Sequence, residues 1–375
     1  MKKHYFLGTA ASFTKKERVK MRKGYGTSQD LANLYDYLTR EYGGKQAIVT
    51  RNGRSAIAAG LNYYLKEQLG NKDGEIIING FTCYAVVQGV KAGGFTPVYA
   101  DIDQTTLNFT VETLEKVLTN KTRAVIVQNT LGNMVEIEEI KNFCKNHGLV
   151  LIEDLAHSVG RFYSDGHEAG KVGELVIFSF GKEKSIDAIN GGAVVFRDAK
   201  TPLLPVPQND APSDEEFRAR AYPTIGAFYR GLSYLKLNGA FMRLMLKIGW
   251  VKKSADGEID YTDKKLGNIQ AKIALEQLKT KARLAKKPLR EFYLVDNQKL
   301  TLEKLRKAGY YFDGFWYEKP VSPVRYYKKV HYPEEKCPVA VEVSKRIVNL
   351  PNYYTEKDLE PARKIIKEHL WNGQK

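Results

Sequence analysis

Seven short apolar runs dominate the sequence between residues 46 and 198. They lie at 47–49, 76–78, 98–100, 124–127, 149–152, 175–178 and 193–196. Helix-like segments separate the first five, near residues 54–68, 83–92, 110–118 and 136–147. Strands that are apolar throughout and alternate with helices are typical of a mostly parallel sheet with helices on both faces. We therefore predict a doubly wound α/β fold, in which ligands bind at the carboxyl ends of the strands.

The remaining sequence predicts three further parts beside a large α/β domain at 46–215. Residues 1–45 form an N-terminal segment, 216–260 a basic helical insert, and 261–375 a smaller α+β C-terminal domain. Within the large domain, the glycines of residues 156–174 indicate a turn or a hairpin rather than a crossover helix. The proline-rich residues 199–215 predict a long loop.

The formal net charge of +16 invites a nucleic-acid interpretation. Acidic residues are interspersed through most of the chain, however, and its basic runs do not resemble a nucleic-acid module. An anionic substrate or an anionic membrane surface accounts for the excess equally well. The three widely spaced cysteines fit neither a disulfide framework nor a metal site, which favours a cytoplasmic protein. The sequence shows no apolar run long enough for a signal peptide or a spanning helix.

Polar motifs follow three of the predicted strands. Asp154 and His157 come directly after the run at 149–152. Ser179, Lys182 and Lys184 follow the run at 175–178, and a Gly-Gly pair then opens the next run. Isolated loop lysines are usually solvated, so the lysines alone decide little. The segment Asn52-Gly53-Arg54-Ser55 precedes a predicted helix, whose N-terminal N–H groups favour an anion.

Taken together, these motifs resemble those of the DegT/StrS-type sugar-nucleotide aminotransferase family, pyridoxal-phosphate enzymes of fold type I. In that family the cofactor lysine stands five residues after the serine and seven before the Gly-Gly pair. By this register the resemblance implies that Lys184, rather than Lys182, binds pyridoxal 5'-phosphate covalently, and that Ser179 donates to its phosphate. It also implies that Asp154 pairs with the pyridine nitrogen, and that His157 lies beside the phosphate or the ring hydroxyl.

The same resemblance assigns further cofactor contacts. Gly53, Arg54 and Ser55 match the phosphate cradle, with Arg54 at a position where the family has threonine. Cys83 or Tyr84 matches the aromatic residue that covers the ring. Gln128 and Thr130 match polar groups near the ring hydroxyl.

In the C-terminal part, the likeness extends over residues 262–370 and implies a homodimer with shared active sites. The family has an asparagine here that reaches the phosphate of the neighbouring subunit. Asp263 replaces it, so the contact is either altered or transferred to Lys264 or Lys265. Asn190 replaces a glutamate that many members have before the Gly-Gly pair. These substitutions make Asn190, Lys264 and Lys265 candidate substrate contacts.

The resemblance implies transfer of an amino group, with glutamate as the expected donor, to a nucleotide-linked keto sugar. The pathway would be the biosynthesis of surface polysaccharide or of an amino sugar. One alternative is a pyridoxal-phosphate sugar dehydratase, although such relatives have histidine in place of the lysine. Another is a non-catalytic sugar-nucleotide-binding or membrane-associated protein on the same fold.

Residues 221–255 contain no acidic residue. Drawn as one helix, Lys236, Arg243 and Lys247 share one side, opposite the apolar residues Leu237, Phe241, Leu244 and Ile248. Such a segment either rests on an anionic membrane or phosphorylated ligand, or packs on the body with a solvated cationic stripe.

Overall fold

A computed structural model describes residues 4–6, 26–198, 207, 209–233, 235, 237–252, 259–284, 287–312, 316–352 and 355–372. Its β-strands are β1 His4–Phe6, β2 Gln46–Thr50, β3 Glu75–Asn79, β4 Thr82–Cys83, β5 Thr96–Ala100, β6 Thr122–Val127, β7 Val150–Asp154, β8 Leu175–Ser179, β9 Gly192–Phe196, β10 Arg290–Leu294, β11 Tyr310–Phe312, β12 Val321–Ser322 and β13 Ile347–Pro351.

The α-helices are α1 Ser28–Glu41, α2 Gly53–Gly60, α3 Tyr84–Ala92, α4 Val111–Glu115, α5 Ile137–Asn146, α6 Ser213–Ser233, α7 Asn238–Lys247, α8 Asn268–Leu278, α9 Gln298–Lys307, α10 Pro338–Arg346 and α11 Glu356–Lys367. Helix α2 continues as a π-helix over Leu61–Gln68. Residues 1–3 and 7–25 of the predicted N-terminal segment, and residues 199–206 and 208 of the predicted loop at 199–215, lie outside the described residues.

The seven predicted apolar runs form one sheet, in the order β2-β9-β8-β7-β6-β3-β5. The five strands from β8 to β5 are mutually parallel, whereas β9 is antiparallel to both of its neighbours. This arrangement confirms the doubly wound α/β fold. It also brings the carboxyl ends of β7 and β8 side by side.

Helices cover both faces of the sheet, as the apolar runs require. On one face α1, α5 and α8 contribute Leu34, Leu38, Phe143 and Ile269 to a buried core. On the other face α2 and α3 pack with α10. Strands β10 and β13 pair antiparallel, and their outer side packs on α9 and α11.

The connection between β7 and β8 folds around the carboxylate of Glu153. Residues 155–174 contain turns but no helix, as predicted, with a short bridge between Phe162 and Glu168. The alternative prediction, that a hairpin joins the two flanking strands, is wrong because β7 and β8 run parallel. Glu153 is fully buried and holds this turn-rich crossover in place by accepting four hydrogen bonds. Its donors are the Tyr163 hydroxyl (2.9 Å) and the amides of Gly170 (2.7 Å), Val172 (2.8 Å) and Gly173 (2.6 Å).

The basic insert is a pair of helices rather than one continuous helix, because the chain turns between α6 and α7. The prediction of a single helix is therefore wrong for this segment. The predicted placement of the apolar residues opposite the cations is also wrong, because Leu244 and Lys247 are only about 60° apart around α7. Nor are these apolar residues uniformly core-facing. Phe241 packs on the small core of Ile225, Met245 and Val251, whereas Leu237, Leu244 and Ile248 are exposed. Lys236 and Lys253 lie outside the described residues.

We predict that Glu153→Gln lowers the free energy of unfolding by about 3 kcal/mol. An amide would direct an N–H toward groups that are themselves donors, and buried donors would lose a charged acceptor. Urea unfolding of the cofactor-free protein measures this change. The same substitution at the exposed Glu115 serves as the control and should change stability by less than about 0.5 kcal/mol. Equal effects of the two substitutions would contradict the role assigned to Glu153.

Candidate active site

Three element ends meet at one edge of the sheet. Asp154 ends β7, Ser179 ends the adjacent strand β8, and Gly53 opens α2. A Cβ built on Gly53 would lie 2.8 Å from Cβ of Ser179, so only glycine lets the helix start this close to the strand end. The sequence motifs at these three positions therefore form one cluster.

Asp154 is a buried carboxylate at this edge. It accepts a hydrogen bond from the Ala156 amide at 3.0 Å. Burial raises the pKa of Asp154 from 3.8 to about 6, although the Ala156 N–H and the nearby Lys184 act in the opposite direction. A carboxylate that is costly to ionise alone is one that a cationic ring nitrogen can stabilise.

The loop after β8 brings Lys184 to the end of β7. The Ser185 amide donates to the Ala156 carbonyl at 3.0 Å, which ties the two strand ends together. Nζ of Lys184 lies 3.0 Å from Nε2 of His157. Lys182 points elsewhere: its amine donates to the Lys252 carbonyl at 3.1 Å and lies 4.4 Å from the centroid of the Tyr222 ring. The amine of Lys184 therefore lies against His157, whereas the amine of Lys182 contacts Lys252 and Tyr222.

His157 has a defined tautomer. Its Nδ1 accepts a hydrogen bond from the Leu131 amide at 3.1 Å. Burial, followed by the charges of Lys184 and Arg290, lowers the pKa of His157 well below 6.5, so the ring is neutral. A neutral ring that accepts at Nδ1 carries its proton on Nε2. The Nε2 atom of His157 that carries the proton is therefore the one that lies against Nζ of Lys184.

The predicted phosphate cradle lies at the N-terminus of α2. The side-chain oxygen of Asn52 caps the helix by accepting from the amide and hydroxyl of Ser55, both at 3.0 Å. Ser55 Oγ also accepts from the Asp260 amide at 3.0 Å, and Arg54 is buried with its guanidinium donating to Gln88 at 3.0 Å. The cradle thus offers the helix terminus beside Ser179 Oγ, with Ser55 and Arg54 tied to the surrounding protein.

The residues predicted to contact the cofactor ring lie in neighbouring loops. Gln128 and Thr130 are buried: Thr82 donates to Gln128 at 2.7 Å, and Asn79 donates to Thr130 Oγ1 at 2.8 Å. Half-buried Cys83 directly precedes α3. The ring of Tyr84 is stacked on that of Tyr326 with centroids 4.3 Å apart.

The three candidate substrate residues have partners outside the Asp154–Lys184 cluster. Asn190 accepts from Gln270 at 2.9 Å, and Lys265 forms an ion pair with Asp210 at 3.5 Å. Half-buried Lys264 forms a backbone bridge with Asn209, whose side chain also donates to Asp263.

Three residues from the C-terminal part of the chain, none of them predicted from the sequence, also lie at this cluster: Arg290, Trp316 and Tyr317. The Trp316 ring stacks on His157 with centroids 5.1 Å apart, and its centroid lies 4.8 Å from Nζ of Lys184. The buried guanidinium of Arg290 covers Trp316 at 4.5 Å and pairs with Glu183 at 2.8 Å. Tyr317 is buried beside Cys83 and Asp154: burial, and then the charges of these two groups, raise its pKa well above 10. These residues belong to no local sequence motif, because their position beside His157 depends on how distant parts of the chain pack together.

The clustered groups fit pyridoxal phosphate in their chemistry. A lysine amine, a buried carboxylate on the adjacent strand, and a helix N-terminus beside a serine are the aldehyde-binding, nitrogen-binding and phosphate-binding groups that it requires. The tight Gly53–Ser179 approach, together with a bridge between Asn52 and Gly191, brings the phosphate-binding groups close to the loop that carries Lys184.

Several known proteins are similar to this chain in sequence. Residues 21–202 match the model of the DegT/DnrJ/EryC1/StrS aminotransferase family. A "Pleiotropic regulatory protein" of Geobacillus stearothermophilus is 34% identical over 155 residues, which are 41% of this chain and 40% of that protein. GDP-perosamine synthase of Vibrio cholerae is 33% identical over 152 residues, 40% of each chain. This chain thus spans about 40% of the length of these curated relatives.

The solved structure of Helicobacter pylori PseC, an aminotransferase involved in the biosynthesis of pseudoaminic acid, has the same fold. The TM-score is 0.64 at 20% identity, with 98% of this chain and 99% of PseC covered. The likeness confirms fold type I. In its matched motifs, its sheet and the residues gathered at the end of β7, the chain is similar to the DegT/DnrJ/EryC1/StrS aminotransferase family, whose model covers residues 21–202.

Proposed function

We propose that the protein is an aminotransferase that uses pyridoxal 5'-phosphate. One observation carries the proposal: the amine of Lys184 contacts His157 at 3.0 Å beside the buried carboxylate of Asp154, at adjacent strand ends. When bound, the cofactor supplies an electron sink for a carbanion at the amine-bearing carbon. Asp154 would bind its ring nitrogen, Lys184 its aldehyde, and Ser179 with the start of α2 its phosphate.

Residues of the chain itself hold and transfer the proton that such a reaction moves. The Leu131 amide fixes the tautomer of His157, whose Nε2 lies against the Lys184 amine. An unprotonated amine can take a proton from substrate carbon and return it. The Trp316 ring and the buried side chain of Tyr317 exclude water from the region of Asp154.

The proposed acceptor is a keto sugar linked to a nucleotide, with glutamate as the proposed donor. Arg290 places positive charge in the site, and the chain carries a net charge of +16, which suits pyrophosphate-bearing and carboxylate substrates. The name of the Vibrio cholerae relative supports a nucleotide sugar. Biosynthesis of surface polysaccharide within the cytoplasm is the proposed setting.

Lys184→Ala should abolish covalent cofactor binding, while Lys182→Ala should retain it. Only the first of these amines lies beside His157 and Asp154. Borohydride reduction followed by peptide mass mapping should place the cofactor on Lys184, and the yellow colour of the loaded protein should disappear in Lys184→Ala. The half-reaction with glutamate should slow by at least about 100-fold. A wild-type protein that stays colourless after incubation with the cofactor would favour a non-catalytic relative.

Asp154→Asn should make the cofactor-free protein more stable while it weakens the half-reaction. Because folding raises the pKa of Asp154, the folded state binds more protons than the unfolded state between about pH 4 and 6, and stability falls as pH rises through that window. Asparagine does not ionise, so the variant does not undergo this fall in stability as the pH rises. The gain should be about 3 kcal/mol near pH 7.5 and about half of that near pH 5.

Urea unfolding at the two pH values measures the gain, and the exposed Asp36→Asn is the matched control, which should change stability equally at both. A stability gain in Asp154→Asn that does not depend on pH would contradict a buried ionised carboxylate. Full half-reaction activity in the variant would separately contradict the role of Asp154 toward the ring nitrogen.

We further propose a homodimer in which Lys264 or Lys265 of one subunit reaches the phosphate site of the other. Mixing Lys184→Ala protomers with Lys264→Glu/Lys265→Glu protomers should then restore activity, because one of the two sites in a hybrid dimer is intact. Refolding the two inactive variants together and measuring turnover checks this. Activity no higher than that of either variant alone would place the two lysines in the same site as Lys184.

A further inference from the structure

Exposed large apolar side chains are concentrated on the hairpin formed by α6 and α7. Those found between residues 217 and 250 are Phe217, Phe228, Leu235, Leu237, Leu244, Ile248 and Trp250. Isolated exposed apolar residues are normal on a protein surface, but a contiguous set marks an interaction site. The exposed apolar side chains of the hairpin therefore indicate a surface that binds a partner.

Helix α7 carries these residues as a stripe. Leu237 (52% exposed), Leu244 (51%) and Ile248 (47%) fall with the exposed Ala240 within about 80° of arc at 3.6 residues per turn. The buried Met245 lies on a different side, against Ile225 and Val251. The helix thus has an apolar face toward the protein and a second one toward solvent.

Helix α6 shows the same arrangement on a smaller scale. Phe217 and Phe228 are eleven residues apart, about three helical turns, and so share the exposed face. Phe217 also meets Trp250 edge-to-face, with ring centroids 5.3 Å apart. Since both rings are largely exposed, their contact joins the outer faces of the two segments at this end of the hairpin.

The charges beside the stripe define the partner. Arg243 and Lys247 are exposed and border the apolar stripe on one side, and residues 221–255 contain no acidic residue. A second copy of the same face would bring these cations opposite themselves across a two-fold axis, without a carboxylate from this segment to pair with them. An anionic bilayer supplies both an apolar layer and negative charge.

We propose that the α6–α7 hairpin docks this protein on the surface of an anionic membrane. Leu237, Leu244 and Ile248 enter the headgroup–acyl boundary, and Arg243 and Lys247 contact the lipid phosphates. The contact is peripheral. Of the helices in the described part of the chain, none combines the length and apolar character that a bilayer crossing requires.

Flotation of the full-length, cofactor-loaded protein with lipid vesicles tests the proposal. We expect binding to vesicles that contain phosphatidylglycerol, much weaker binding to pure phosphatidylcholine, and loss of binding at high salt. Arg243→Gln/Lys247→Gln should lower the partition coefficient on anionic vesicles by roughly 30-fold, about fivefold for each cation. Leu244→Gln/Ile248→Gln should lower it on both kinds of vesicle.

Leu69→Gln/Leu300→Gln is the matched control, because these two leucines are comparably exposed but lie outside the hairpin. This variant should float like the wild type. Failure of the wild type to float with anionic vesicles overturns the proposal, as does an equal loss in the control. A dimer that dissociates in Leu244→Gln/Ile248→Gln would also overturn it, since the stripe would then be an interface between copies. Retained half-reaction activity shows that each variant is folded.

Discussion

Two consecutive carboxylates at the end of β7 organise the site, because side chains alternate across a strand. Glu153 faces one side of the sheet, where four donors satisfy it and where it holds the crossover to β8. Asp154 faces the other side and accepts a hydrogen bond from the Ala156 amide. The first carboxylate fixes the backbone so that the second keeps its position in a buried environment that raises its pKa. A site of this kind depends on a rigid support more than on the reactive groups themselves.

The second constraint is electrostatic and comes from Arg290, in the C-terminal part of the chain. Arg290 lies near His157 and Lys184 and pairs with Glu183, which belongs to the same loop as Lys184. Burial first, and then the charges of Lys184 and Arg290, lower the pKa of His157 and keep its ring neutral. The neutral ring carries its proton on Nε2, beside the Lys184 amine. Trp316, packed between the Arg290 guanidinium and the His157 ring, links these groups physically. The surroundings of the His157–Lys184 contact thus come from distant parts of the chain.

Much of this arrangement was predictable from local sequence. The seven sheet strands, the turn-rich segment before β8 and the motif residues at the strand ends follow from hydrophobic pattern and from spacing. The parallel direction of β8 was not predicted, because the crossover at residues 155–174 has no helix to indicate it and contacts Glu153 from up to twenty positions away. The turn between α6 and α7 was not predicted, because the residue pattern of both helices fits a single period of 3.6 residues. Trp316 and Arg290 were not predicted, because long-range packing brings them to His157 and such packing leaves no periodic pattern in the sequence.

The hairpin and the active-site loop meet at Lys182, whose amine donates to the Lys252 carbonyl and lies over the Tyr222 ring. A movement of the hairpin on a membrane would therefore reach a residue two positions from Lys184. The strength of that link can be bounded. One hydrogen bond contributes about 1 kcal/mol, so losing it shifts a loop equilibrium by about fivefold. The loop has other supports: the Ser185–Ala156 hydrogen bond, the Arg290–Glu183 pair and the buried side chains of Ile186 and Ala188. Docking of the hairpin can therefore adjust the position of Lys184 without being needed to create it.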